Sequence, residues 1–234
     1  MFKKIKNNIP NTITCFNLLS GCFACIFAFH SQEVYGAFKG YEIVYLLIGA
    51  AAIFDFFDGA AARLLHAVSS IGKELDSLSD LISFGVAPAM LMYNTMIHYN
   101  GGEATAFAAL AIAVFGAIRL ARFNVDDRQT DTFIGLPIPS NAIFWIRASA
   151  LVNQFGYPGD ITLIIALIIM SLLMVAPIKM YSLKFHNFKF RENYKRYLII
   201  LSAILFVIFC GISGLAYEII LYILLSIFSR KNIK

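Results

Sequence analysis

Continuous apolar stretches of membrane-spanning length recur along this chain, and they restrict it to one kind of fold. A bilayer core offers no water, so every backbone N–H and C=O must be satisfied within the protein. Only helices and closed barrels meet that condition. A barrel would show segments of about ten residues alternating between apolar and polar positions, whereas the runs here are unbroken. A helical span needs roughly 20 mainly apolar residues. By that measure the chain divides into eight helices, at about residues 12–31, 41–65, 74–99, 104–124, 138–156, 160–180, 195–212 and 215–229. The turn Gly211-Ile212-Ser213-Gly214 joins the last two, which gives six core spans plus a C-terminal hairpin. Hydrophobic residues make up 59% of the chain and charged residues 14%, against roughly 45–50% and about 25% in soluble domains. No repeat, low-complexity tract or linker interrupts the 234 residues, which read as one all-α, polytopic membrane domain.

Charge placement sets the orientation. With the N-terminus inside, all 19 basic residues fall on the inside except Lys39, which lies outside, and Arg147, which lies within the fifth span. The positive-inside rule therefore places both the N-terminus and the inner helix ends in the cytoplasm. The net charge of +5 is accounted for by this bias and by attraction to anionic headgroups. Basic residues that flank spans do not form a nucleic-acid-binding domain. The inside loop at 179–195 mixes Lys and Arg with Tyr181, Phe185, Phe188, Phe190 and Tyr194, a pattern that suits a segment lying on headgroups.

The first 30 residues carry two misleading signals. A basic start before an apolar run, with Leu19-Ser20-Gly21-Cys22 inside it, resembles a cleaved leader. The apolar run continues past Cys22 to Phe29, however, which favours an uncleaved first span. Cys22 and Cys25 form the only close cysteine pair and have no second pair or His cluster nearby, so they read as small packing residues.

Against this apolar background, four aspartates stand out. The interval reads Asp55-x-x-Asp58-Gly59-x-x-Ala62-Arg63, then eight residues, then Gly72-x-x-x-Asp76-x-x-x-Asp80. Ionisable residues at membrane depth are costly and point to a functional site. Residues three or four apart share a helix face, so Asp55, Asp58, Gly59 and Ala62 form one stripe and Gly72, Asp76 and Asp80 another. A short turn makes the two helices antiparallel neighbours, and the stripes converge. Carboxylates so close together repel unless cations neutralise them. Hard oxygen ligands suit Mg²⁺, Mn²⁺ or Ca²⁺, and Mg²⁺ commonly binds carboxylates together with substrate phosphates. Two such ions can clamp a diphosphate during in-line displacement. Gly59 and Gly72 permit close approach of a ligand, and Arg63 can neutralise phosphate. The bland alternative is a set of solvated acids at a membrane boundary. A cation transporter is a further alternative, although the aspartates lie at helix ends and no inverted repeat is present.

The spacing Asp-x2-Asp-Gly-x2-Ala-Arg-x8-Gly-x3-Asp-x3-Asp resembles the signature of the CDP-alcohol phosphotransferases, with every fixed position present. Further segments are similar to the membrane-bound phosphatidylserine synthases of that family. They are Pro10-Asn11-x-x-Thr14-x-x-Asn17, Ser79-Asp80-x-x-Ser83-Phe84-Gly85-Val86-Ala87-Pro88, Arg119-Leu120-Ala121-Arg122-Phe123-Asn124 and Gly135-Leu136-Pro137-x-Pro139. The resemblance implies a homodimeric helical bundle that transfers a phosphatidyl group from CDP-diacylglycerol to serine and releases CMP. It also implies that Asp55, Asp58, Asp76 and Asp80 ligate two divalent ions, Mg²⁺ or Mn²⁺. Gly59, Arg63 and Ser69 would hold the CDP moiety, Thr14 and Asn17 would line the nucleotide pocket, and Asp80 would act as general base.

The resemblance implies serine as the acceptor, and charge points to the residues that would hold it. Serine carries a carboxylate, which calls for a fixed guanidinium, and Arg119, Arg122 and Arg147 are the candidates, with Ser140 and Asn141 able to join the pocket. Glycerol 3-phosphate and inositol phosphate are alternative acceptors that would demand more positive charge. His30, His66, His98 and His186 do not cluster, and no His partners a serine, so a hydrolase-type nucleophile is not indicated. The inside-facing site and the lack of an organellar targeting sequence favour a prokaryotic inner membrane.

Overall fold

A computed structural model of the protein describes residues 2–100, 102–126, 133–180 and 214–228, with 197, 199, 201, 202 and 205 as single positions. The described residues are overwhelmingly helical. Helix α1 covers Phe2–Phe29, α2 Gly40–Leu64, α3 Ser70–Asp80 and α4 Ala87–Asn100. The short α5 (Glu103–Ala106) leads through a 3₁₀ turn into α6 (Ala111–Val125), followed by α7 (Ile138–Phe155), α8 (Asp160–Val175) and α9 (Gly214–Phe228). Four two-residue strands, β1 Val34–Tyr35, β2 Phe38–Lys39, β3 Phe133–Ile134 and β4 Lys179–Met180, form two antiparallel pairs, β1 with β2 and β3 with β4.

Among the described residues, four stretches are long and apolar enough to cross a membrane: Asn8–Phe29, Gly40–Leu64, Ser70–Tyr99 and Glu103–Val125. They coincide with the first four expected spans, and the chain is a membrane protein of the all-α class. The fifth expected span is α7, which carries Asn141, Arg147, Asn153 and Gln154 among its 18 residues and is correspondingly less apolar. The sixth, expected at 160–180, ends at Val175 because Pro177 follows and the chain turns extended into β4. Of the C-terminal hairpin, α9 is described, whereas most of 195–212 and the loop at 181–195 lie outside the described residues.

Polar side chains join the helices where lipid supplies no partner. Tyr45 on α2 donates to Ser149 Oγ on α7 at 3.0 Å, and Thr95 Oγ1 on α4 lies 3.3 Å from the same hydroxyl. Gln32 donates to Asn153 Oδ1 at 3.2 Å. Such interhelical hydrogen bonds contribute about 0.6 kcal/mol each in membranes. Beneath them lies a core that includes Phe84, Leu91, Met92, Ile112, Trp145 and Leu167.

The third span is one helix with a wide turn in it. Residues Leu81–Val86 are π-helical, and Ala87 N–H bonds to Ile82 C=O, five residues back. Pro88 explains the widening. It has no N–H for the Phe84 carbonyl, and in a regular helix its ring would collide with that oxygen. The wide turn begins directly after Asp80, and π-bulges are frequently found at functional sites.

The α6–α7 connection is locked to the end of α8. Leu136 N–H donates to Leu173 C=O at 2.9 Å, and Gly135 N–H donates to Ile178 C=O at 2.9 Å. Arg122 Nη1 donates to Val175 C=O at 3.0 Å. The donors to Leu173 and Val175 satisfy carbonyls in the last turn of α8, which lack helical partners, and Gly135 ties down the segment that follows it. Gly135 has φ +80°, and a β-carbon there would run into the Met174 carbonyl. Gly36, at φ +65°, has open space around it. Gly135→Ala should therefore lower thermal stability in detergent by clearly more than Gly36→Ala, whose cost is the left-handed backbone alone, about 1–2 kcal/mol. Equal melting temperatures for the two variants would contradict the packing role of Gly135.

Candidate active site

Helices α2 and α3 bring the aspartates together as their spacing implied. One oxygen from each of Asp55, Asp76 and Asp80 lies within 4.8 Å of the others. Asp58, one turn along from Asp55, is buried at 5% exposure, and its Oδ2 has no hydrogen-bond partner. Asp76 Oδ1 is likewise buried and unpartnered. Among the described residues, no Lys, Arg or His forms a salt bridge with any of the four. Two unit charges 4.8 Å apart repel by about 3 kcal/mol at an effective dielectric of roughly 20. Unpaired oxygens, hard donors and uncompensated negative charge fit a divalent cation.

Helix α1 is fastened against this cluster. Asn17 is fully buried, and its Nδ2 donates to Asp80 Oδ1 at 3.3 Å. Ser79 Oγ donates to Thr14 C=O at 3.2 Å, and Ser83 Oγ donates to Asn17 C=O at 3.0 Å. Gly21 lies against the Ser83 backbone, where no side chain would fit. The register of α1 on α3 is thereby set, and with it the position of the Asn17 amide.

A cavity of about 190 Å³ opens beside the carboxylates. Its lining includes Thr14, Asp58, Gly59, Ser69, Gly72 and Asp76. Ser69 caps α3, its side chain accepting from Gly72 N–H at 3.0 Å, so the positive end of that helix faces the cavity. Arg63 is exposed next to Gly59, with Nη1 3.6 Å from where a Gly59 β-carbon would stand. Nothing else approaches that point within 4 Å, so protein packing does not demand a glycine at 59. Two further lining residues are Asn11, a fixed position of the Pro10–Asn17 segment, and Lys73, which the sequence marked only as an inside charge. Lys73 Nζ donates to Asn124 C=O at 3.1 Å, joining the start of α3 to the end of α6. Its signal was its place directly after Gly72, which counting it as an orientation charge obscured.

The three arginines are separated. Arg119 is 7% exposed, its Nε is unpartnered, and it lies close enough to Asp80 for their charges to interact. Arg122 is engaged with the Val175 carbonyl. Arg147 lines a different cavity, between α2 and α7, whose walls include none of the four aspartates. Asn141 is fully buried, with Oδ1 accepting from Trp145 Nε1 at 3.1 Å and Nδ2 unpartnered.

A model of the CDP-alcohol phosphatidyltransferase family matches residues 7–178. The chain belongs to that family. Similar proteins include the CDP-diacylglycerol–serine O-phosphatidyltransferase of Bacillus subtilis strain 168, 37% identical over 180 residues that cover 77% of this chain and 93% of that one. The protein of the same name from Helicobacter pylori strain 26695 is 32% identical over 198 residues, covering 82% and 78%. That of Methanocaldococcus jannaschii is 34% identical over 163 residues, covering 70% and 71%. The family's reliance on divalent metal agrees with the cluster of Asp55, Asp76 and Asp80.

Two outcomes are expected from this geometry. Gly59→Ala should keep or raise the melting temperature, because alanine favours a helix by about 0.5–1 kcal/mol, while losing CDP binding measured by calorimetry. A fall in stability with binding intact would make Gly59 a packing residue. Asp76→Asn should raise the melting temperature in chelator by relieving repulsion. It should also abolish the upward shift that Mg²⁺ or Mn²⁺ gives the unaltered protein.

Proposed function

We propose that this protein transfers the phosphatidyl group of CDP-diacylglycerol to the hydroxyl of L-serine, giving phosphatidylserine and CMP. One observation carries the reading. Three carboxylates converge within 4.8 Å next to a cavity lined by Thr14, Asp58, Gly59, Ser69 and Gly72, in a chain similar over most of its length to enzymes named for that reaction.

Asp55, Asp58, Asp76 and Asp80 would hold two divalent ions, Mg²⁺ or Mn²⁺. When bound, such ions neutralise the diphosphate and polarise its phosphorus–oxygen bonds. The protein's own groups do the rest. Thr14, Gly59 and Ser69 seat the CDP moiety, the α3 N-terminus faces its phosphates, and Arg63 closes over it. Asn17 holds Asp80 through Oδ1 and so aims the carboxylate. As the serine oxygen attacks phosphorus, its proton passes to Asp80 Oδ2, the bond from phosphorus to the CMP oxygen breaks, and CMP leaves. Arg119, buried near Asp80, is the arginine we assign to the serine carboxylate. Arg122 serves the end of α8, and Arg147 opens elsewhere. A single buried guanidinium matches one carboxylate better than the doubly charged phosphate of glycerol 3-phosphate or inositol phosphate.

The surrounding architecture follows the same reading. A single domain of six core spans plus a C-terminal hairpin sits in a prokaryotic inner membrane as a homodimer, with the N-terminus and the carboxylates facing the cytoplasm. The positive-inside distribution of Lys and Arg supports that orientation.

The test is transfer of labelled serine into lipid by protein reconstituted in CDP-diacylglycerol liposomes. Label should enter lipid with Mn²⁺ or Mg²⁺ and not with chelator, and Asp80→Asn should lower kcat by about 10²–10⁴-fold. CMP release with glycerol 3-phosphate or inositol phosphate, but not with serine, would move the acceptor. No CMP release with any alcohol would overturn the enzymatic reading.

A further inference from the structure

Outside the active site, a cavity of about 730 Å³ lies between α2 and α7. Ligand pockets commonly measure about 300–1,000 Å³. It begins among Phe38, Tyr41, Glu42 and Gln154, at the ends of α2 and α7 remote from the carboxylates, and runs down to Ala52, Phe84 and Pro139. Its walls are mainly apolar, including Leu46, Ile48, Ile143 and Ile146. Among the described residues one cation lines it: Arg147, partly buried, its Nε shielded from solvent and without a hydrogen-bond partner. The acid at the rim, Glu42, accepts from Lys39 N–H at 2.8 Å through Oε2 as part of a helix cap, and among the described residues it forms no salt bridge with Arg147.

A guanidinium at membrane depth is costly without a partner, and an anion is the partner that offsets its charge most fully. By helix rise, Arg147 lies about 12 Å from the Phe155 end of α7, a gap that snorkelling and a locally indented headgroup can close. We propose that this cavity binds a phospholipid with an anionic headgroup, taken from the leaflet opposite the carboxylates. Its phosphate rests on Arg147, and one acyl chain lies along Leu46, Ile48, Ala52 and Ile146. Its inner end, at Ala52 and Phe84, comes within about one helical turn of Asp55 and Asp80, so CDP-diacylglycerol is the competitor that the test below separates, and the proposal holds whatever acceptor the enzyme uses. Gly49 is the residue in its wall that gives depth: a β-carbon there meets nothing within 4 Å.

The chain contains one tryptophan, and it reports on this place. Trp145 is fully buried, directly before Ile146 and two residues from Arg147. Purified protein is reconstituted in phosphatidylcholine vesicles containing chain-brominated phosphatidylglycerol or chain-brominated phosphatidylcholine, and quenching of Trp145 fluorescence is followed. The anionic lipid is expected to half-quench at about a fivefold lower mole fraction, the preference one arginine near a charged headgroup provides. Arg147→Gln should make the two lipids equal. Gly49→Phe, which fills the cavity and leaves Arg147 in place, should weaken quenching by both, so the outcome does not depend on one variant folding. Added CDP-diacylglycerol should leave the quenching unchanged. Equal quenching by both lipids in the unaltered protein would overturn the proposal. Reversal by CDP-diacylglycerol would overturn it by giving the cavity to the donor's own chain. Absence of quenching by either lipid, with copies cross-linking through Leu46→Cys, would overturn it by giving the face to a second copy.

Discussion

The repulsion among four carboxylates is the constraint around which the rest of the bundle is arranged. Oxygens of Asp55, Asp76 and Asp80 come within 4.8 Å of one another where α2 and α3 meet, and partial burial strengthens every unpaired charge there. No described Lys or Arg forms a salt bridge with them. The neighbours instead fix position. Asn17 holds one oxygen of Asp80, and Ser79 and Ser83 attach the backbone of α1 to the third span on either side of it. Neutral hydrogen bonds restrain the carboxylates without discharging them, which leaves the charge available to a cation. An arginine inserted among them would satisfy the fold and remove that capacity.

Much of this was legible in the sequence, because the relevant signals are periodic. The spacing of three and four residues within each aspartate pair fixes a helix face, and the short turn fixes the helices as antiparallel, so convergence followed directly. The first four spans were equally plain, since helix length in a bilayer is set by its thickness. What was not legible depends on contacts between distant segments. The β3–β4 lock joins residues 133–134 to 179–180, and nothing in either stretch alone announces the other. It shortened α8 relative to the apolar run, because hydropathy does not register that Pro177 ends the helix. The π turn had a visible cause in Pro88, yet an apolar run containing proline reads the same whether the helix kinks, breaks or widens.

The arginines show the same limit from the other side. On sequence, Arg119 and Arg122 are the first candidates for a carboxylate partner, and Arg147, deep in the fifth span, is a different case. The fold gives them three different surroundings: a buried place near Asp80, the carbonyl end of α8, and an apolar cavity. Charge identity does not specify role, because what a guanidinium does depends on which oxygen it meets. Arg147 was recognised as too deep to be an interfacial anchor, and that depth separates it from the other two.

The glycines separate structure from function by a criterion that sequence lacks. Gly21 lies against the Ser83 backbone and Gly135 against the Met174 carbonyl, so the protein itself excludes a side chain at both positions. Gly59 has no such neighbour, only the mobile end of Arg63 at 3.6 Å. A glycine in mid-helix is destabilising by about 0.5–1 kcal/mol relative to alanine, and packing at 59 does not compensate for it. The compensation has to come from something that occupies the cavity in the working protein. The space between Gly59, Thr14 and the capped start of α3, beside four carboxylates that no described residue salt-bridges, is the place proposed above for the nucleotide and phosphates of a CDP-linked lipid. The same reasoning applied to Gly49 on the opposite half of α2, where open space again meets an unpartnered cation, gives that helix two ligand-facing surfaces rather than one.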